Sequence, residues 1–492
     1  MTSFPENPLW PGFSRRSFLQ NCGAGFGSLA LASLATADQA RDAGPAERQA
    51  GMGPLVPRAT HFVPRARRVI LLWMQGGPAQ MDLFDYKPRL QKESGEKIPF
   101  SLTRENERFD EKARLFGPTA TFAQHGQSGR WVSDLLPHLA KKVDQLCFLQ
   151  ALKTDSPSHP GAIRLFQTGS VQFIRPSMGS WMLYGLGTEN QNLPGFVVIS
   201  PVLFGDDGSP LHYHNNFLPA PCQGTRIGKS DHLIKHSQVN HLVDRSVPTP
   251  LQRRQLDFLQ NRNRQFLETQ GREPEVEGLI ESYELAFRMQ LEAPGVLSLD
   301  AESKATQELY GIGEEPTDNY GRKCLMARRL IESGVRFVQV TDGAWDHHGD
   351  LKPRLKQSCQ GVDRPIAGLL TDLEARGLLD DTLVIWTGEF GRTPYDQDLT
   401  NGKGPPESRG RDHNPHCWTM WMAGAGVRQG HLHGETDEYA WKAVAGEVHV
   451  HDLHATILHL LGLDHERLTY RYGGRDFRLT DVFGRVVPEI LA

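Results

Sequence analysis

Cysteine is scarce. Six occur in 492 residues and none is spaced Cys-x-x-Cys. Cys22 falls in an N-terminal leader, and Cys147, Cys222, Cys324, Cys359 and Cys417 remain, an odd number scattered along the chain. That pattern gives no disulfide framework and no cysteine zinc site, and points to buried thiols. An excess of one charge is also missing. Fifty-four Lys and Arg stand against 58 Asp and Glu, a formal net charge of −4, with no long block of either sign. Nucleic acid, which selects clustered cations, is therefore not expected as a partner. Beyond Ala37 no apolar run approaches the ~20 residues of a membrane span, so stable membrane insertion is not expected. Neither Gly-x-Gly-x-x-Gly nor a phosphate-binding Gly-x-x-x-x-Gly-Lys-Ser/Thr loop occurs, and no Gly-x-Ser-x-Gly elbow. Internal repeats and low-complexity tracts are absent.

What is present begins with a targeting segment. Ser14-Arg15-Arg16-Ser17-Phe18-Leu19 reads as a twin-arginine signal, followed by a Gly/Ala/Leu-rich stretch and the small-residue cleavage site Ala35-Thr36-Ala37. Residues 1–37 are thus expected to be a signal peptide that sends the protein to the periplasm or outside the cell. Residues 38–66, rich in Ala, Gly, Pro and Arg, read as a linker. The folded part is expected over 67–492.

Three apolar runs have the look of buried strands: Val69–Met74, Arg336–Thr341 and Thr382–Thr387. Helical spacing lies between them, at 134–143, 251–293, 320–332 and 363–376. Alternating helix and strand predicts an α/β/α sandwich with a mostly parallel central sheet and long insertions, one of them over 200–248. The three strands are expected to be neighbours. The segment 452–462 reads as a helix with Asp452 as its N-cap and Gly462 as its stop.

Polar clusters follow these strands. Gly388-Glu389-Phe390-Gly391-Arg392 follows the third, and Asp342-Gly343-Ala344-Trp345-Asp346-His347-His348 follows the second. Arg411-Asp412-His413 precedes the apolar run Trp418–Met422. Ligands of open α/β sheets bind outside the carboxyl ends of the strands. Asp346 and His348, two apart in a loop, can converge on one cation, and carboxylate with imidazole suits zinc, manganese or iron. The alternatives are a polar loop under a tryptophan and, for Glu389, an ion pair with Arg392. The pairs His212/His214, His431/His433 and His449/His451 read as ordinary surface or structural histidines.

These segments carry a family resemblance. Gln75-Gly76-Gly77-Pro78, Trp345–Asp350, Gly388–Pro394, Gly410–His413 and the tail Gly473–Asp481 are similar to the DUF1501 family of exported, planctomycete-type bacterial proteins. More remotely the chain resembles the alkaline phosphatase and sulfatase superfamily. Ser156-Pro157-Ser158-His159 with Leu165–Gly169 is similar to the sulfatase nucleophile stretch. The resemblance implies a metal site at the C-terminal sheet edge. Carried over by position, it implies Glu389, His413, Asp346 and His348 as ligands, with Asp342 nearby. It implies Thr154, Asp155 or Ser156 in the nucleophile slot, and His159 and Arg392 as anion-binding groups. This sequence departs from the pattern at Gln75, where an Asp ligand is usual, and at Phe390, where a His is usual.

The implied activity is a divalent-metal-dependent hydrolysis of phosphate or sulfate esters, with zinc, manganese or calcium as the ion. The substrate would be a small-molecule or carbohydrate ester. The alternative is an exported carbohydrate- or envelope-binding protein on a degenerate phosphatase scaffold.

Overall fold

Seven residues of β1, Arg68–Met74, are apolar almost without interruption, and all but the first are buried. A strand covered on both faces needs no polar alternation. In the computed structural model, which describes residues 55–100, 112–201, 213–229, 233–236, 246–271, 273–400, 405 and 408–492, this strand lies at the centre of a nine-stranded sheet. The other strands used below are β2 Leu146–Lys153, β3 Phe196–Ile199, β4 Thr225–Ile227, β5 Phe337–Asp342, β6 Thr382–Thr387, β7 Gly391–Gln397, β8 Gly410–Asn414, β9 Trp418–Ala423, β10 Leu432–His433 and β11 Val448–His449. The sheet runs β10-β2-β9-β6-β1-β5-β3-β4, with β11 also on β2. Only β9 runs against its neighbours. β1 pairs in parallel with β5, Leu71 opposite Gln339, and with β6, Leu71 opposite Ile385, so the three expected strands are adjacent.

Alternate residues of β1 enter two cores. Ile70, Leu72 and Met74 pack with Val338, Val340, Val384 and Trp386. Val69, Leu71 and Trp73 pack with Phe337, Leu383, Ile385 and Met420. The main helices are α1 His159–Thr168, α2 Met178–Leu186, α3 Thr249–Gln270, α4 Pro274–Leu297, α5 Asp318–Glu332, α6 Leu351–Ala375 and α7 Val450–Leu460. Helices α5 and α6 cover the first core, while α1, α2 and α7 cover the second. The architecture is an α/β/α sandwich. Residues 53–472 and 476–492 form one compact unit that holds all these elements.

Some local expectations are corrected. The helix read at 134–143 is a 3-10 helix over Leu139–Gln145. Helix α6 starts twelve residues before the expected 363, because Pro353 sits in its first turn, where no amide hydrogen is needed. The N-cap of α7 is His449. Asp452 sits at the third helical position and its carboxylate accepts the His449 amide, a capping box. The part of the linker reading that can be seen is packed: Leu55 is buried, and His61 donates its amide to the Gly462 carbonyl at 2.8 Å. The signal segment 1–37 lies outside the described residues, as does much of the 200–248 insertion. Among the described residues no helix is long and apolar enough to cross a membrane.

Candidate metal centre

Four segments meet at the C-terminal ends of the central strands. The turn after β1 is Gln75-Gly76-Gly77. Gly76 has φ of +120°, and a Cβ there would lie 2.3 Å from the Asp346 amide nitrogen. Only glycine lets the β1 turn press this closely on the loop after β5. That loop carries Asp346 and His348. Glu389 and Phe390 follow β6 directly. β7 and β8 pair as a separate antiparallel ribbon with a bulge between Arg411 and His413. The bulge separates the fates of the two side chains. Arg411 is fully buried on Asp82, Nε to Oδ2 2.8 Å, whereas His413 joins the cluster.

His159, Asp346, His348 and His413 each offer one ligand atom, and these atoms lie within 4.8 Å of one another. Three imidazoles surround the Asp346 carboxylate. Their Nε2 atoms lie 3.3 Å (His159), 2.9 Å (His348) and 3.6 Å (His413) from its Oδ1. Each Nδ1 faces an oxygen on the other side. His159 Nδ1 meets Glu389 Oε1 at 2.7 Å, His413 Nδ1 meets the Pro157 carbonyl at 2.7 Å, and His348 Nδ1 meets the Gln397 amide oxygen. An Nδ1–H donated outward leaves the Nε2 lone pair directed inward, the arrangement that metal-binding histidines adopt. The His413 Nε2 is buried without a hydrogen-bond partner, which a cation would remedy. Two ligand atoms of a tetrahedral site with bonds of 2.0–2.1 Å are roughly 3.3 Å apart. A slight contraction of this cluster suffices to hold a divalent ion. The residues therefore fit a metal.

Charge is strongly coupled here. Burial works against charge on His159, but Asp346 and Glu389 outweigh it and push its pKa up to about 9. Burial also works against the Asp346 carboxylate, yet His159, His348, His413 and Arg392 hold it well below the usual carboxylate range. His413 is lowered to about 4, by burial first, against the pull of Asp346 and with repulsion from Arg392 and its neighbouring histidines. Phe390 forms an apolar floor, its ring 4.9 Å from His159 and 4.4 Å from His413. The position where the remote superfamily usually has a histidine thus carries a packing surface.

The expected residues have different placements. Asp346, His348 and His413 come together. Glu389 stands behind His159. It is fully buried, and both its oxygens accept the Gly76 amide, at 2.9 and 3.1 Å. Glu389 is thus outside the group of four, and His159 is within it. Asp342 is outside the cluster. It is half-buried, accepts Trp345 Nε1 at 2.8 Å, and burial raises its pKa against the pull of Lys323. Arg392 is not open to an anion. Its guanidinium donates to the carbonyls of Gly77 (2.9 Å), Arg411 (3.0 Å) and Gly76, and to Asp346. It ties three segments together. Thr154 is buried and its amide bonds the Pro415 carbonyl. Asp155 Oδ1 pairs with His449 Nε2 at 3.0 Å, and that hydrogen bond lowers its pKa. Ser156 Oγ lies 3.1 Å from Ser158 Oγ, and Ser158 is the N-cap of α1. Gln75 is buried and is not part of the cluster. Gln397 and the Pro157 carbonyl have no sequence signal, since any oxygen acceptor could serve.

Several solved structures are similar at low identity. A sulfatase, PsFucS1 from Pseudoalteromonas sp., matches with a TM-score of 0.34 and 11% identity, covering 81% of this chain and 68% of that one. Alkaline phosphatase from the Antarctic bacterium TAB5 matches at TM-score 0.30 and 11% identity, over 75% of this chain and 94% of its own. A phosphonate monoester hydrolase from Silicibacter pomeroyi matches at 0.30 and 11%, over 66% and 68%. No curated protein gives a significant sequence match. The family described as "Protein of unknown function (DUF1501)" matches residues 66–491. With nearly the whole folded part matched, the chain belongs to the DUF1501 family.

Proposed function

We propose that this protein is a metal-dependent hydrolase of phosphate or sulfate esters, working outside the cytoplasm. The observation that carries the reading is the set of three imidazoles whose Nδ1 atoms are each held by an oxygen acceptor while their Nε2 atoms converge on Asp346. Such a donor set favours zinc or manganese over calcium, which prefers oxygen ligands. A divalent ion there supplies Lewis acidity toward an ester oxygen. The chain itself supplies the start of α1, where His159 stands and the first-turn amides favour an anionic group. Of the three residues in the nucleophile slot, Ser156 is the one linked to that helix start. Thr154 and Ser156 are both buried, and Asp155 is held by His449. Export by the twin-arginine segment and a signal peptide ending near Ala37 belong to the same proposal.

One observation favours a second reading, a metal-stabilised binding protein. Arg392 is spent on backbone carbonyls and on Asp346, and is not free to receive an anion. Metal analysis of the purified protein and turnover of 4-nitrophenyl phosphate and sulfate with added zinc or manganese separate the two. Stoichiometric metal with turnover that His413→Ala abolishes supports the hydrolase. Metal without turnover on either ester supports the binding protein. A folded protein that takes up no metal removes both. Ser156→Ala is expected to keep the metal and lower turnover.

A further inference from the structure

A cavity of about 370 Å³ lies beside β2 and β10 at the edge of the main sheet, and none of the four clustered residues lines it. Its size falls within the roughly 300–1,000 Å³ of small-molecule sites. Part of its lining is aromatic. Tyr86 and Trp131 stand with ring centres 4.8 Å apart, and Phe122 stacks on Tyr86 at 5.0 Å. Trp131 belongs to a hairpin of Phe122–His125 and Arg130–Ser133. The next residue, Val132, enters the core, so strand alternation leaves the Trp131 ring on the outer face, 39% exposed. The Tyr86 hydroxyl donates to the Gln91 side-chain oxygen at 2.7 Å, which fixes that ring.

The rest of the lining is polar. Gln150 is a half-buried residue of β2, and Arg130 and Glu435 join it. Among the described residues the Gln150 amide and the Glu435 carboxylate have no side-chain partner, and Arg130 donates only from Nε, to the Ser128 carbonyl at 3.2 Å. Asp85 and Lys87 pair with each other at 3.0 Å. Arg130 balances Glu435, so the lining has no net charge. These features select the ligand. A flat exposed ring offers an apolar face, and the amide, guanidinium and carboxylate offer donors and acceptors side by side. A sugar ring matches both, with a face of C–H groups and a rim of hydroxyls that each donate and accept. The balanced charge gives a phosphate or sulfate group no attraction. A purely apolar ligand would desolvate the polar groups without pairing them.

We propose that this cavity binds a neutral sugar segment of a glycan. It needs neither the metal nor turnover, so it stands apart from the ester hydrolysis. The test is titration calorimetry of the purified protein with cellohexaose, maltohexaose, chitohexaose and mannohexaose, with thermal melting as a control of folding. At least one is expected to bind, with an affinity unchanged from about 50 to about 500 mM sodium chloride and unchanged by chelation of metal. Trp131→Ala should raise its dissociation constant about 30-fold, the size of an interface hot spot, while Trp131→Phe keeps a ring and most of the affinity. Gln150→Ala should raise it about 5-fold, as a lost hydrogen-bonding group does. Binding of none of the four overturns the proposal. So does binding that neither Trp131→Ala nor Gln150→Ala weakens. Binding confined to sulfated or uronic oligosaccharides and lost in salt would make the ligand an anion, and binding lost on chelation would move it to the metal centre; either overturns the proposal as well.

Discussion

Removing the metal should expose a pH dependence that belongs to one histidine. In the metal-free site Asp346 and Glu389 raise His159 from 6.5 to about 9 against the effect of its burial. A group raised on folding stabilises the folded state in full below its unfolded value and loses that contribution as pH climbs through its folded one. At 1.36 kcal/mol per unit, the loss between pH 6.5 and about pH 8 is about 1.5 kcal/mol. The window is chosen by the other groups. The lowered histidines act in the opposite sense: His413 and His451, lowered to about 4, and His347 and His454, lowered to about 3, all by burial first, each gain about 0.4 kcal/mol as their unfolded forms lose the last of their protons across this window, with zinc or without it. Buried thiols such as Cys147 and Cys222, pushed up to about 12 by burial, begin to act only when the unfolded thiols ionise, near pH 8.5. Urea denaturation of chelated and zinc-loaded protein across this window is expected to show the loss as a difference between the two. The zinc-loaded protein carries the same thiols and lowered histidines but holds His159 neutral, so its stability relative to the chelated protein should grow by about 1.5 kcal/mol or more across the window. Equal slopes with and without zinc, or no slope in either, would refute the reasoning.

Three further outcomes are expected. Glu389→Gln keeps the four ligands but withdraws the charge behind His159, so metal affinity should fall about 10–100-fold by competition with a chelator. A ligand role for Glu389 would instead remove the metal altogether. Asp82→Ala leaves the buried Arg411 guanidinium without its carboxylate and should cost about 3–5 kcal/mol, read as a lowered denaturation midpoint. Changing Arg15 and Arg16 to Lys should strand the protein in the cytoplasm, seen by fractionating cells, and normal export of that variant would overturn the signal reading.

The sheet was legible because its central strands are buried on both faces. Val69–Met74 and Leu383–Trp386 are apolar throughout, with no polar residue on either face to confuse the pattern. The start of α6 was not, since Pro353 and Gly361 look like breakers and a first-turn proline is tolerated only by position. Within the site, Asp346, His348 and His413 could be found by their types and their places after or before strands. What separates Asp342 from Asp346 is a matter of loop path. One accepts Trp345, the other meets three imidazoles, and four residues of sequence do not distinguish them. Arg392 looked like an anion receptor because sequence cannot count the carbonyls that surround a guanidinium. His159 was assigned to an anion for the same kind of reason. Its carboxylate neighbour, Glu389, is 230 positions away.

That separation has a consequence for the life of the molecule. The ligands stand at positions 159, 346, 348 and 413, and their supports at 76, 157, 389 and 397. No stretch of nascent chain contains the set, and the fourth ligand leaves the ribosome only when most of the 492 residues have been made. An ion bound here is captured by a finished sheet and not by an early fragment. Metal uptake would thereby serve as an inspection mark. A chain with β1 or β6 out of place has no site to fill, while a correctly built one would present all four side chains, each half-buried, to an ion.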